Sequence, residues 1–161
     1  MNATLPPVDR DTASAAFFDA AARGELLVKR APQSGMILAP EARTDPQTGS
    51  GGLEPFVASG EATLISWSIV HRAPLPALLA SVPYISAIVE LAEGPWLIVR
   101  IVTANPDRLR AGLEVTVRYL RSGRGDGEVI PVFTPRDELP LSADPRDCGS
   151  SFEGPRAGPG C

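Results

Sequence analysis

The chain has 161 residues, 43% of them apolar, and a formal net charge of −4. That length supports one domain of ordinary size with a small appendage, and the negative charge disfavours polyphosphate partners. No apolar run approaches the roughly 18 residues of a membrane span, and Met1–Pro7 lacks the basic and apolar regions of a secretory leader, so a cytoplasmic protein is expected.

Thr12–Arg23 is the first predicted element, a helix. Asp11 or Thr12 can cap it, Ala13, Ala16, Phe17, Ala20 and Ala21 recur at helical spacing, and Gly24 suits the left-handed stop. Phe17 and Phe18 put one large apolar side chain on each of two adjacent faces. A simple amphipathic cap is the reading this pattern favours; one face then docks on the chain's own barrel, and the other, with Phe18 if it is the outward member, could reach a partner.

A strand Glu25–Arg30 follows, with Met36–Ala39 as its hairpin partner and Pro40–Gly52 as loop. Arg30-Ala31-Pro32-Gln33-Ser34-Gly35 and Asp45-Pro46-Gln47-Thr48-Gly49 have the frame of two Cys-x-x-Cys-Gly knuckles of a zinc ribbon. Ala31, Ser34, Asp45 and Thr48 stand at the four ligand places. Structural zinc takes thiolates and imidazoles, and only Asp45 among these is a ligand at all, so no metal is expected and packing must hold the segment.

From Gly60 the pattern turns to strands: Glu61–His71, Tyr84–Leu91, Trp96–Val102, Val115–Leu120 and Glu128–Phe133. In the first, Thr63, Ile65, Trp67, Ile69 and His71 alternate against Ala62, Leu64, Ser66, Ser68 and Val70. Glu93-Gly94 reads as a tight hairpin, and Asn105-Pro106 starts a short helix that ends before Gly112. Five strands with a helical insert between the third and fourth give the order of an OB-fold barrel. Arg136–Cys161 is poor in apolar residues and is expected to be disordered. Both cysteines, Cys148 and Cys161, lie there, which suits free thiols better than a disulfide framework. The organisation is therefore a helix (12–24), a degenerate ribbon segment (25–59), a barrel (60–135) and a tail (136–161), in a mainly β fold.

This order of parts resembles the thiolase-associated OB-fold proteins, zinc-ribbon plus OB-fold chains associated with acyl-CoA enzymes. The resemblance runs from about Ala16 to Pro135. It rests on Phe17-Phe18-Asp19-Ala20-Ala21, the ribbon frame, Gly60–Pro74 ending in His71-Arg72-Ala73-Pro74, Val82-Pro83-Tyr84, Val89–Pro95 and Gly112–Val115. The resemblance implies a small non-catalytic subunit that accompanies a thiolase-like, aldolase or hydratase enzyme and helps to complete its acyl-CoA surface. The chain departs from the family pattern at all four ribbon cysteines.

The candidate contacts with ligand or partner are His71, Arg72, Pro74, Tyr84, Arg100, Arg118 and Arg121. His71, the only histidine, stands at a strand end beside Arg72 and the rigid loop from Pro74; no nucleophile or orienting group attends it, so catalysis is not expected. Arg100 shares a strand face with Trp96 and Ile98, where a guanidinium beside an indole could take an adenine or a phosphate of coenzyme A. Arg118, Arg121 and Arg124 form a basic run that reads as the loop between the last two strands. Each of these arginines also fits a plain solvated face. Basic and acidic residues balance across Gly60–Pro135, which argues against a nucleic-acid groove. The alternative function, from another class, is a stand-alone OB-fold module for a small molecule or a single strand. No cofactor is expected beyond an acyl-CoA contact.

Overall fold

The computed structural model describes residues 5–123 and 127–138. The helix α1 spans Ala15–Ala22, shorter at its start than expected. Asp11 explains the difference. Its carboxylate accepts from the backbone N–H of Ser14 at 2.8 Å and from the Ser14 hydroxyl, so 11–14 close as a side-chain-bonded turn before the helix begins. The stop is as expected: Gly24 adopts φ 77°. The N–H groups of Glu25 and Gly24 donate to the carbonyls of Ala20 and Ala21, satisfying the last turn.

Three strands follow: β1 (Leu26–Arg30), β2 (Ile37–Leu38) and β3 (Glu54–Ala58), in the order β2-β1-β3. The strand β3 was not expected. The expected loop stops at Gly52 and no strand is expected between it and Gly60; β3 lies at the edge of this sheet, where a proline such as Pro55 is tolerated. Then β4 (Glu61–Val70), β5 (Tyr84–Leu91), β6 (Trp96–Ile101), β7 (Glu114–Arg121) and β8 (Val129–Pro135) close a barrel in the order β4-β5-β6-β8-β7. The insert between β6 and β7 is a single 3-10 turn, Pro106–Arg108, rather than a longer helix.

The faces of β4 differ from a plain alternation. A bulge between Leu64 and Ser66 adds one residue to β4 against β5. Ala62 and Leu64 pair with Leu91 and Val89; beyond the bulge, Trp67 and Ile69 pair with the buried Ala87 and Ile85. The inward set is therefore Ala62, Leu64, Trp67 and Ile69, a parity switch that sequence spacing cannot express. Because β7 pairs only with Glu61–Thr63, Trp67 and Ile69 stay partly exposed at the open end of the barrel.

One apolar core joins the two sheets. Leu64, Ile85, Val89, Val115 and Phe133 fill the barrel, and Leu26, Val28 and Ala58 of the small sheet belong to the same cluster. The 3-10 turn Arg136–Glu138 takes the first residues of the segment expected to be disordered; Glu138 accepts from the Thr103 hydroxyl at 2.6 Å and from Ala104 N–H at 2.9 Å. The rest of that segment, with both cysteines, lies outside the described residues.

Candidate functional site

The strands β6 and β8 share a single parallel pair, Ile101 with Phe133, and separate from it. A groove of about 770 Å³ opens along this seam. Phe17 of α1, Leu26 and Lys29 of β1, and Ile130 and Pro131 of β8 line it, and the edge of β6 contributes Leu97–Arg100. Pro40, Glu41 and Arg43 of the loop after β2 form another wall. Its size is that of a small-molecule site, mostly apolar with a few placed charges.

Lys29, Arg43 and Arg100 supply the positive charge, against Asp11 and Glu41. Lys29, the only lysine of the chain, donates from Nζ to the Ala42 carbonyl at 2.6 Å and so ties the loop to β1. The Arg100 guanidinium lies 5.0 Å from the centre of the Tyr84 ring and donates to the Ser81 carbonyl at 3.2 Å. Burial pushes Arg100 below the usual arginine range, and Tyr84 partly offsets that. Beside the groove, Trp96 and Ile98 point outward from β6, 56% and 82% exposed. Large apolar side chains that open are informative where they adjoin a groove.

The residues expected from the sequence do not form one site. Arg100 lines the groove with its guanidinium over the Tyr84 ring, and it shares its face of β6 with Trp96 and Ile98, as the alternation predicts. His71, Arg72 and Pro74 are exposed in the loop after β4 and do not line the groove. Arg118 and Arg121 lie on β7, not in a loop, three residues apart in an unbroken ladder with β8 and hence on opposite faces. Arg121 donates to the Gly127 carbonyl at 3.4 Å; Arg124 is outside the described residues.

Phe18, the expected outward member, is the buried one, and Phe17 is partly buried and packs against the core, as expected. Phe18 is buried, 9% exposed, with the Arg10 guanidinium 5.9 Å from its ring centre, while Phe17 lines the groove. Arg10 is itself fixed, bonding Glu128 at 2.6 and 2.7 Å and Asp19 at 2.6 Å, which holds the N-terminal arm over Phe18. That arm, with Leu5 buried and its carbonyl accepting from Gly123 N–H at 3.0 Å, is what covers the face expected to be free. The groove residues Lys29, Leu26, Leu97 and Ile130 were not anticipated; a lone lysine inside an apolar strand was the one available signal.

Among the described residues, no three of His, Cys, Asp and Glu gather as a metal-ligand set. The four ribbon positions offer a methyl group, two hydroxyls and one carboxylate, a donor set that does not fit structural zinc.

The architecture is that of an OB barrel preceded by a helix and a ribbon without its metal ligands. A family model described as "ChsH2, C-terminal OB-fold domain" matches residues 57–120. A DUF35 domain-containing scaffold protein of Pyrococcus furiosus is 32% identical over 100 residues, covering 61% of this chain and 73% of that protein. A probable enoyl-CoA hydratase alpha subunit of Thermomonospora curvata is 31% identical over 131 residues, 81% of this chain. The chain spans only 39% of that longer protein. Among solved structures, a chain of an Ltp2-ChsH2(DUF35) aldolase superposes with a TM-score of 0.64 at 30% identity, covering 81% of this chain and 98% of that one. The chain belongs to the DUF35/ChsH2 OB-fold family.

Proposed function

We propose that this chain is a non-catalytic accessory subunit that docks on a thiolase-like, aldolase or hydratase enzyme of acyl-CoA metabolism. The observation that carries this reading is the match over 98% of a chain from an Ltp2-ChsH2(DUF35) aldolase structure, at 30% identity. The scaffold designation of the Pyrococcus relative and the hydratase designation of the Thermomonospora relative support the same direction. The docking face in this reading is the groove side: the loop Pro40–Gly52, Phe17, and the outward Trp96 and Ile98. The groove, apolar with cationic Lys29, Arg43 and Arg100 on it, suits an acyl thioester whose coenzyme carries phosphates.

Co-expression with thiolase-like, aldolase and hydratase enzymes of acyl-CoA metabolism from the same source tests the reading. The pair should co-purify, and Ile98→Asp should weaken association about tenfold or more with the fold intact, as loss of one apolar anchor does. Turnover of an acyl-CoA by the isolated chain, or no association with any such enzyme, would count against it. The groove also gives support to a free-standing small-molecule module. Tight coenzyme A binding by the chain alone, with no protein partner, would favour that second reading.

A further inference from the structure

Hydrogen-bond parity fixes which way the main chain of β6 points. Leu91 N–H donates to the Pro95 carbonyl at 3.0 Å, so these two residues are a bonded pair at the start of the β5–β6 ladder. Bonded pairs recur at every second residue, which makes Val89 with Leu97 and Ala87 with Val99 the next two. Trp96 and Ile98 therefore turn their N–H and C=O groups away from β5, toward β8. Val102 has the same parity and bonds there, its N–H donating to the Phe133 carbonyl at 2.8 Å. Because β8 pairs with β6 only at Ile101, the main chain of Trp96 and Ile98 has no ladder partner among the described residues.

The two strand edges along the seam differ. On β8, Ser122 N–H donates to the Glu128 carbonyl at 2.8 Å, which by the same parity puts Val129, Pro131 and Phe133 on the seam side. Pro131 has no N–H to offer, so that edge is blunted as protected edges commonly are. The edge of β6 carries no such guard at Trp96 or Ile98, and both side chains are exposed. Free edges in folded proteins are ordinarily short, charged or covered. An unguarded edge beside exposed apolar side chains is instead the form that takes up an added strand, main chain for affinity and alternate side chains for specificity.

We infer that the Trp96–Ile98 edge of β6 accepts an extended segment of a partner enzyme as an added strand. The identity of the partner as an enzyme rests on the proposed function above; the open edge does not. Two other occupants fit less well. Residues 139–161 contain no Val, Ile or Thr, and their four prolines, Pro140, Pro145, Pro155 and Pro159, lack a donor. A second copy brings the same groove with it, where Lys29, Arg43 and Arg100 outnumber Asp11 and Glu41, and so sets like charges together. Complementarity selects a segment with apolar residues at alternate positions and a carboxylate toward Arg100. Its main chain bonds Trp96 and Ile98, and its side chains on that face cover theirs. The walls from β1 and the loop after β2, with Lys29 and Arg43, are left for a ligand.

Amide hydrogen exchange resolved to single residues tests the edge first in the full chain alone. Trp96 and Ile98 should exchange about tenfold or more faster than Leu97 and Val99, whose N–H groups bond β5. In the complex with a co-expressed thiolase-like, aldolase or hydratase enzyme, Trp96 and Ile98 should gain about tenfold or more in protection. Ile98→Pro deletes a donor that β5 does not use, and it should weaken association about threefold or more beyond Ile98→Ala, which keeps that donor. Should the proline variant fail to fold, exchange in the natural complex still decides. Slow exchange of both amides in the free chain would overturn the inference. Protection that rises with chain concentration would mean a second copy, and protection lost on truncation after Glu138 would mean residues 139–161. A complex in which both amides stay fast would overturn the strand addition and leave the proposed function standing. No association with any such enzyme would overturn both.

Discussion

In the barrel, β5 is paired along both sides, with Ile85, Ala87, Val89 and Leu91 facing a continuous apolar core. In the ribbon segment, β2 has two residues, and only Ile37 and Ala39 of that stretch pack at the core's margin. The second turn there is held by Asp45, which accepts from Gln47 N–H and the Thr48 hydroxyl, and the loop is tied by Lys29 to the Ala42 carbonyl. The barrel, with Leu26, Val28 and Ala58 of the small sheet, is stabilised by area removed from water, and the loop and turns between β2 and β3 by a few directed polar bonds. Apolar burial is broad and tolerates substitution by degrees, whereas a directed bond depends on single atoms.

The largest test of this contrast is Phe133→Ala. Phe133 is fully buried and closes the seam with Ile101, and its carbonyl accepts from Val102 N–H at 2.8 Å. Truncation should destabilise the chain by about 3–5 kcal/mol in urea unfolding, with the slope unchanged. A loss below about 1 kcal/mol would mean that the seam, and with it the groove, is less tightly packed than described.

Glycine substitutions sharpen the contrast further. Gly60 joins the two regions at φ 82°, and an added Cβ would lie 2.3 Å from Val117 Cγ1. Gly35 has a similar φ of 74°, but nothing lies within 4 Å of an added Cβ. Gly60→Ala should therefore cost about 2–4 kcal/mol, from strain plus overpacking. Gly35→Ala should cost about 1–2 kcal/mol, from strain alone. Equal losses would show that crowding at the junction relaxes freely.

The barrel was legible in the sequence because alternation of β-branched residues reports packing, and packing is what forms it. The bulge in β4 was not, since one inserted residue reverses every face after it and leaves no compositional mark. The helix was placed correctly, but the choice between Phe17 and Phe18 depended on the N-terminal arm, whose Arg10 bonds Glu128 over a hundred residues away. The missing ribbon cysteines were plain; the burial of Asp45 was not, because a lone carboxylate in a polar loop reads as solvated. Of the expected site residues, Arg100 and Tyr84 fell together, and the arginines of β7 did not.

Titration separates the regions by sign. Asp45 is held below its unfolded value of 3.8, so its contribution is complete above that pH and is lost as pH falls through the lower folded value. Ribbon amides should open in acid before those of β4–β6, and Asp45→Asn should flatten that dependence. At the other end, burial, with Glu25 adding, pushes Tyr119 of β7 from 10.0 up to about 12. A raised folded value leaves stability unchanged below pH 10.0 and lowers it as pH climbs towards about 12. Tyr119→Phe should remove a late step from the tyrosinate absorbance titration; an unchanged alkaline end would mean that Tyr119 is solvated.

The smallest expected effect lies in the ribbon sheet itself. Arg30 and Glu54 sit opposite each other on β1 and β3, with Arg30 Nη2 2.9 Å from Glu54 Oε2. The geometry is good, but both side chains are 50% exposed. Water already solvates each charge there, ordering two long side chains opposes the pairing, and salt screens what remains. A double-mutant cycle through Arg30→Ala and Glu54→Ala should give a coupling of about 0.5 kcal/mol or less, shrinking with added salt. The Thr48–Asp45 bond has the same length, 2.9 Å, and differs in burial. Its disruption should therefore be felt more strongly in ribbon exchange, and salt should hardly alter it. A coupling between Arg30 and Glu54 above about 1 kcal/mol would reverse that order and place the ribbon's stability at its surface.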